Sequence, residues 1–242
     1  MIALFTDFGL AAPYTGQVKA VLARQAPGVP VVDLFADLPA GDAKSAAYLL
    51  AAYARWFDPP IVVLAVVDPG VGSKRRGVVV EADGRFYVGP ENGLFELVLR
   101  RAAGARAWEI VWRPEMLSAS FHGRDLFAPV AARLARVGLD AAMLNAIEIA
   151  RMPDWPDDLP AVVYIDHFGN AMTGLRAASL LPTARVAAGD RVLDRATTFS
   201  DVAAGEAFWY ENANGLAEIA VNSGRADALL GLTVGSPVAV IG

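Results

Sequence analysis

The chain has 242 residues, 55% of them hydrophobic, which is enough to bury a substantial core in one large domain or two modest ones and argues against disorder. Its net charge of −5 offers no basic stripe for a phosphate backbone, so nucleic acid is not expected as a partner, and the mild acidity suits either a cationic small ligand or plain solubility. With no cysteine and two histidines there is no material for disulfides, thiolate zinc sites, a cysteine nucleophile or the usual imidazole metal sites, and no bound metal is expected.

The start, MIALFTDFG, lacks the basic region and small-residue end of a signal peptide and reads as a strand, Ile2 to Phe5, running into a turn. No stretch of about eighteen apolar residues follows, so the sequence predicts a cytoplasmic protein without a membrane span. Next come a helix over 14–25, a strand from Val29 to Leu34, an Ala/Leu helix over 41–56, and a near-continuous apolar run from Ile61 to Val67. That last pattern is one of a parallel strand covered on both faces. Gly77 to Glu81 and Arg85 to Val88 form a hairpin through Asp83-Gly84, which supplies the positive φ angles of a tight turn. A helix from Leu94 to Ala102, a strand from Ala107 to Val111 and a helix from Asp125 to Val137 complete an α/β domain over residues 1–150, with a mostly parallel sheet flanked by helices. Three prolines and three aspartates within residues 151–160 interrupt any helix or central strand and are read as a linker. Beyond it, short strands at 161–166, 184–187, 207–211, 216–221 and 237–241, with one helix from Ala226 to Leu230, suggest a smaller β-barrel or sandwich over 161–242.

Ligands of such sheets bind beyond the carboxyl ends of strands, which directs attention to three loops. In Phe5-Thr6-Asp7-Phe8-Gly9 the aspartate is placed to accept ribose hydroxyls, although for this segment alone a helix cap or an Asx turn is the simpler role. In Val67-Asp68-Pro69-Gly70-Val71-Gly72, followed by Arg75-Arg76, a carboxylate stands at the mouth of a backbone that a ligand can approach closely; a plain glycine turn is the competing reading. A phosphate loop is excluded, since it needs Gly-Lys-Ser/Thr followed by a helix, whereas a strand follows here. Ser118 to Phe127 carries His122 at a helix start, as a catalytic or a packing residue. Gly89-Pro90-Glu91-Asn92-Gly93 adds an amide at another helix start, where an N-cap is the simpler role.

Together with Tyr164-Ile165-Asp166-His167-Phe168-Gly169-Asn170 and Asn212-Ala213-Asn214-Gly215, these segments resemble, in order and spacing over nearly the whole chain, the S-adenosylmethionine hydroxide adenosyltransferase family, whose relatives include fluorinases and chlorinases. The resemblance implies an amino-terminal α/β domain, a carboxy-terminal β-barrel, and a homotrimer with active sites between subunits. It implies a catalytic trio of Asp68, Arg75 and His122, with Asp7 on the ribose hydroxyls, Phe8 beside it and Asn92 lining the same cavity. Asp166 would face the methionine amino group, Phe168 and Asn170 would flank the adenine, and Phe199 would stand against the purine. Ala213, Asn214, Val221 and Ser223 would complete the substrate contacts. Two positions depart from the pattern: Ala213 replaces a frequent serine, leaving only a backbone N–H there, and Asp33-Leu34-Phe35-Ala36 lacks a histidine common in the family.

The implied reaction is attack of water on the ribose 5′ carbon of S-adenosylmethionine, the substrate, with no cofactor. A sulfonium leaves as a neutral thioether and needs no proton, so the protein's task is to position and deprotonate water, for which Asp68 and His122 are both suitable acceptors. Two alternatives remain. A halogenase would desolvate a halide with neutral donors, against which the carboxylate, valine, imidazole and glycine at Asp68, Val71, His122 and Gly123 argue. A non-catalytic adenosine or S-adenosylmethionine sensor would bind tightly without turnover.

Overall fold

Ile2–Thr6 forms β1, whose side chains are buried at every position. The computed structural model describes residues 1–242, which divide into two compact units, Met1–Met152 and Pro153–Gly242. In the first unit β1 is followed by α1 (Tyr14–Gln25), β2 (Val31–Phe35), α2 (Ala43–Tyr53), β3 (Ile61–Val66), β4 (Gly77–Ala82), β5 (Arg85–Pro90), α3 (Glu96–Arg101), β6 (Ala105–Ile110), α4 (Ala128–Val137) and β7 (Leu144–Ala146). The strands make one sheet in the order β2-β1-β3-β5-β4-β6-β7. The pairings β1–β2, β1–β3 and β3–β5 are parallel and the rest antiparallel, so the expected mostly parallel sheet describes only the half that begins the chain. The reason is the Asp83-Gly84 turn. With φ of 48° and 76° it reverses the chain, so β4 runs antiparallel to β5, and β6 and β7 continue antiparallel beyond β4.

Ile2, Leu4, Val62, Leu64 and Val66 form one core cluster with Val18 and Leu22 of α1 and Val130 and Leu134 of α4. The helix expected over 125–137 starts earlier and differently. Gly123–Phe127 winds as a π-type turn before α4. Pro129, at the start of α4, has no N–H to offer the carbonyl of Asp125, which favours the wider turn.

The second unit contains β8 (Leu159–Ile165), β9 (Ala171–Arg176), β10 (Arg185–Ala188), β11 (Arg191–Leu193), β12 (Ala207–Glu211), β13 (Leu216–Val221), α5 (Ala226–Leu230) and β14 (Val238–Ile241). These form two antiparallel sheets, β12-β13-β9-β8 and β11-β10-β14. β8 begins inside the segment read as a linker, because Pro160 falls where the β8–β9 register shifts and its missing N–H is tolerated. β7, β9 and β11 were not expected from the sequence. In β9 the glycine is required by packing: a Cβ on Gly174 would lie 2.6 Å from the Leu159 Cβ. Buried Trp209 anchors this unit's core and donates its indole N–H to the Ala184 carbonyl at 3.0 Å. No helix in the chain is long and apolar enough to cross a membrane.

Candidate active site

β1 and β3 lie side by side in parallel with Thr6 opposite Val66, so their carboxyl ends deliver Asp7 and Asp68 to the same edge of the sheet. The loop from Asp68 then turns back. Gly72, at φ +79°, passes so close to the next loop that a Cβ would sit 2.6 Å from the Ala119 carbonyl oxygen. This approach brings Arg75, at the end of the first loop, under Asp68 and beside His122.

Arg75 grips Asp68 with two prongs: Nε donates to Oδ1 at 2.7 Å and Nη2 donates to Oδ2. Nη2 also lies 3.2 Å from Nδ1 of His122. A guanidinium can only donate, so Nδ1 is the acceptor and the imidazole hydrogen sits on Nε2. Burial, helped by the Arg75 charge, pushes the His122 pKa below its ordinary 6.5 and keeps the ring neutral. The Arg75 guanidinium lies over the Phe127 ring, 5.2 Å from its centroid, and the ion pair is nearly dry, with Arg75 10% and Asp68 5% exposed at the side chain.

Asp68 and His122 open on a cavity of about 190 Å³ also lined by Asp7, Phe8, Gly41, Val66, Pro69, Val71, Ser120, Phe121 and Gly123. Arg75 does not line it and acts from behind Asp68. Asp7 accepts the Gly41 N–H at 2.9 Å, yet burial raises its carboxyl above the ordinary 3.8, with the Asp68 charge adding to the rise. Phe8 packs edge-on against Tyr14 and Phe121, and a Cβ on Gly123 would meet the Phe8 ring at 2.9 Å. Asn92 is not among the lining residues: its amide donates to the Val67 carbonyl at 2.8 Å and accepts from Leu94 N–H, which braces the backbone immediately before Asp68.

The second unit has its own cavity of about 630 Å³, lined by Asp166, Phe168, Asn170, Phe199, Tyr210, Glu218, Val221, Ser223 and Gly224. Asp166 organises the turn after β8, accepting from Phe168 N and Asn170 N at 2.9 Å and from Asn170 Nδ2 at 3.0 Å. The turn needs Gly169, at φ +84°, where a Cβ would lie 2.6 Å from Asp227. It leaves Phe168 71% exposed. Phe199 meets Phe208 and Tyr210 edge-on, with ring centroids 5.3 and 5.5 Å apart. Ala213 and Asn214 lie in the turn between β12 and β13, where Asn212 Oδ1 accepts from Asn214 N and Leu216 N, and neither lines the cavity. Tyr210 and Glu218 were not singled out from the sequence. The signal available for Glu218 was a lone acid in the otherwise apolar run Leu216–Val221; for Tyr210, inside an ordinary strand pattern, there was none.

Residues 2–143 match the model of the SAM hydroxide adenosyltransferase N-terminal domain, and residues 160–239 match that of its C-terminal domain. A protein of Thermus thermophilus named (R)-S-adenosyl-L-methionine hydrolase is 42% identical over 255 residues, covering 98% of this chain and 97% of that one. The crystal structure of an uncharacterized conserved protein from Thermotoga maritima covers both chains in full, with a TM-score of 0.89 and 30% identity. A fluorinase of Nocardia brasiliensis is more distant, 24% identical over 74% of this chain and 72% of that protein.

Proposed function

We infer that this chain, which belongs to the SAM hydroxide adenosyltransferase family, hydrolyses S-adenosyl-L-methionine to adenosine and L-methionine. The observation that carries the mechanism is the Asp68–Arg75–His122 constellation at the wall of the first unit's cavity. A water held there faces a carboxylate that can take a proton and an imidazole Nε2–H that can only donate. Asp68 therefore accepts the proton as the new bond forms at the 5′ carbon, and His122 supports the hydroxide character that develops on the oxygen. Arg75 is a positioning residue: its two-pronged grip fixes the carboxylate plane and its third contact fixes the histidine tautomer. The electron pair of the breaking C–S bond goes to sulfur, which leaves as the neutral thioether of methionine, so no group has to protonate it and no cofactor is called for.

Asp7, with one oxygen tied to Gly41, keeps the other for the ribose hydroxyls, and Phe8 closes the wall beside it. In the second unit the rings of Phe168 and Phe199 are the faces for adenine, with Asn170, Val221 and Ser223 around them. We place Asp166 and the turn holding Ala213 and Asn214 at the amino-acid end. The full site is read as a homotrimer's, with the second unit's cavity supplied by a neighbouring copy; in support, the two cavities carry different parts of what one substrate needs. The isolated bridges Ala161–Pro237 and Arg195–Trp209 link the edges of the two small sheets and support reading them as one closed barrel.

The test is direct. Purified protein incubated with S-adenosylmethionine, with chloride or fluoride supplied, is expected to yield adenosine and methionine in equal amounts and no 5′-halo-5′-deoxyadenosine. Binding without adenosine release overturns the reading in favour of a sensor.

A further inference from the structure

The cavity of the second unit contains a buried carboxylate that the mechanism does not use. Glu218 stands on β13, is 3% exposed, and pairs across the ladder with Tyr210 of β12. Its Oε1 accepts the Tyr210 hydroxyl hydrogen at 2.6 Å and its Oε2 accepts an Asn212 amide hydrogen at 2.7 Å. No Lys or Arg is among the residues lining the cavity. Burial raises the Glu218 carboxyl above its ordinary 4.5; the two hydrogen bonds pull the other way, and the Asp166 charge adds to the rise.

These contacts set the polarity of the wall. An ionised carboxylate accepts hydrogens and gives none. Tyr210 has a single hydroxyl hydrogen and directs it to Glu218, so its oxygen has no hydrogen left to give and can only accept. With the carboxylate of Asp166 alongside, this side of the cavity is built of acceptors, and it calls for a ligand group rich in N–H donors and positively charged. S-adenosylmethionine has two cations. The sulfonium has no hydrogen to donate and is bonded to the carbon that water attacks, whereas the ammonium donates three.

The geometry points to Glu218 as a specificity-determining residue: by holding the Tyr210 hydrogen it keeps an acceptor wall that selects the ammonium of the substrate's amino-acid end. The assignment of the group rests on the S-adenosylmethionine reading above. Glu218→Gln keeps the size but reverses the sense, because the new amide donates to the Tyr210 oxygen and turns the phenol hydrogen toward the cavity.

Titration calorimetry on the full chain with two non-reacting probes separates the possibilities. S-adenosylhomocysteine carries the ammonium without the sulfonium, and 5′-methylthioadenosine lacks the amino-acid end altogether. Glu218→Gln is expected to weaken S-adenosylhomocysteine by about tenfold or more while 5′-methylthioadenosine stays within about twofold, which also certifies the fold of the variant. Tyr210→Phe is expected to discriminate in the same direction and by less. In turnover, Glu218→Gln raises KM for S-adenosylmethionine and leaves kcat within about threefold. Equal loss for both probes means a structural role and overturns the inference, and so does no loss for either. A wild-type protein that shows this selectivity but releases no adenosine sinks the hydrolase reading and leaves the inference standing. One that turns over while Glu218→Gln is unchanged sinks the inference alone, and one that binds neither probe sinks both.

Discussion

At the end of β3 the carboxylate has a countercharge within hydrogen-bond reach: Asp68 sits in the fork of Arg75, and His122 leans on the same guanidinium. In the second unit's cavity, by contrast, Asp166 and Glu218 stand with no basic side chain in the lining, between aromatic walls. The difference separates two tasks. A fixed, charge-paired corner suits proton transfer to a held water, since nothing has to reorganise when charge moves. Carboxylates with no basic side chain in the cavity wall suit recognition, since the ligand brings the countercharge.

The largest expected effect breaks the first side of that contrast. Asp68→Asn keeps shape and removes the proton acceptor, so kcat should fall by about two to four decades with KM within about threefold, as read by steady-state kinetics. Arg75→Lys keeps the charge and loses the fork, and a fall in kcat of about one to two decades is expected, because a point charge fixes neither the carboxylate plane nor the histidine tautomer. On the second side the signature should invert. Phe199→Ala and Phe168→Ala should each raise KM by about five- to 150-fold with little change in kcat, since stacking a base on an aromatic ring contributes about 1–3 kcal/mol.

The pH profile sharpens the contrast further. Because burial and Arg75 hold the His122 pKa below 6.5, the ring remains neutral at neutral pH. Protonation would turn Nδ1 into a donor facing a guanidinium. The acid limb of kcat/KM that reports this group is therefore expected below pH 6.5, with activity lost as pH falls through it; a midpoint above 6.5 contradicts the tautomer argued here.

The smallest effect concerns the scaffold. Gly72→Ala forces a Cβ against the Ala119 carbonyl in a left-handed backbone conformation, whereas Gly205, also left-handed at φ +82°, has open space around it. Thermal unfolding should show the first variant losing about 1–3 kcal/mol, or a few degrees in Tm, more than Gly205→Ala. Activity should follow only in Gly72→Ala, because that contact joins the Asp68 and His122 loops.

Much of the first unit was legible because its signals are local. Ile61 to Val67 reads as a covered parallel strand from its apolar run, and Asp83-Gly84 reads as a hairpin from turn chemistry alone. β9 was not legible, since Gly174 argues against a strand until Leu159 is known to press on it from β8. The π-type turn at Gly123–Phe127 reads in sequence as a loop running into a plain helix from Asp125, for a similar reason: the consequence of Pro129 shows only in three dimensions. Loop motifs named Asp68, Arg75 and His122, but sequence could not say that Arg75 touches both partners, and that contact is what orders the proton acceptor ahead of the imidazole. Glu218 was hidden by its strand: a single acid in an apolar run is visible, while its Tyr210 and Asn212 partners belong to the fold.

The central claim, that water attacks the 5′ carbon beside Asp68, is tested most directly by isotope. Turnover of S-adenosylmethionine in ¹⁸O-water, followed by mass spectrometry of both products, should place one label in the 5′ hydroxyl of adenosine and none in methionine. Unlabelled adenosine, or label in methionine, would contradict the account.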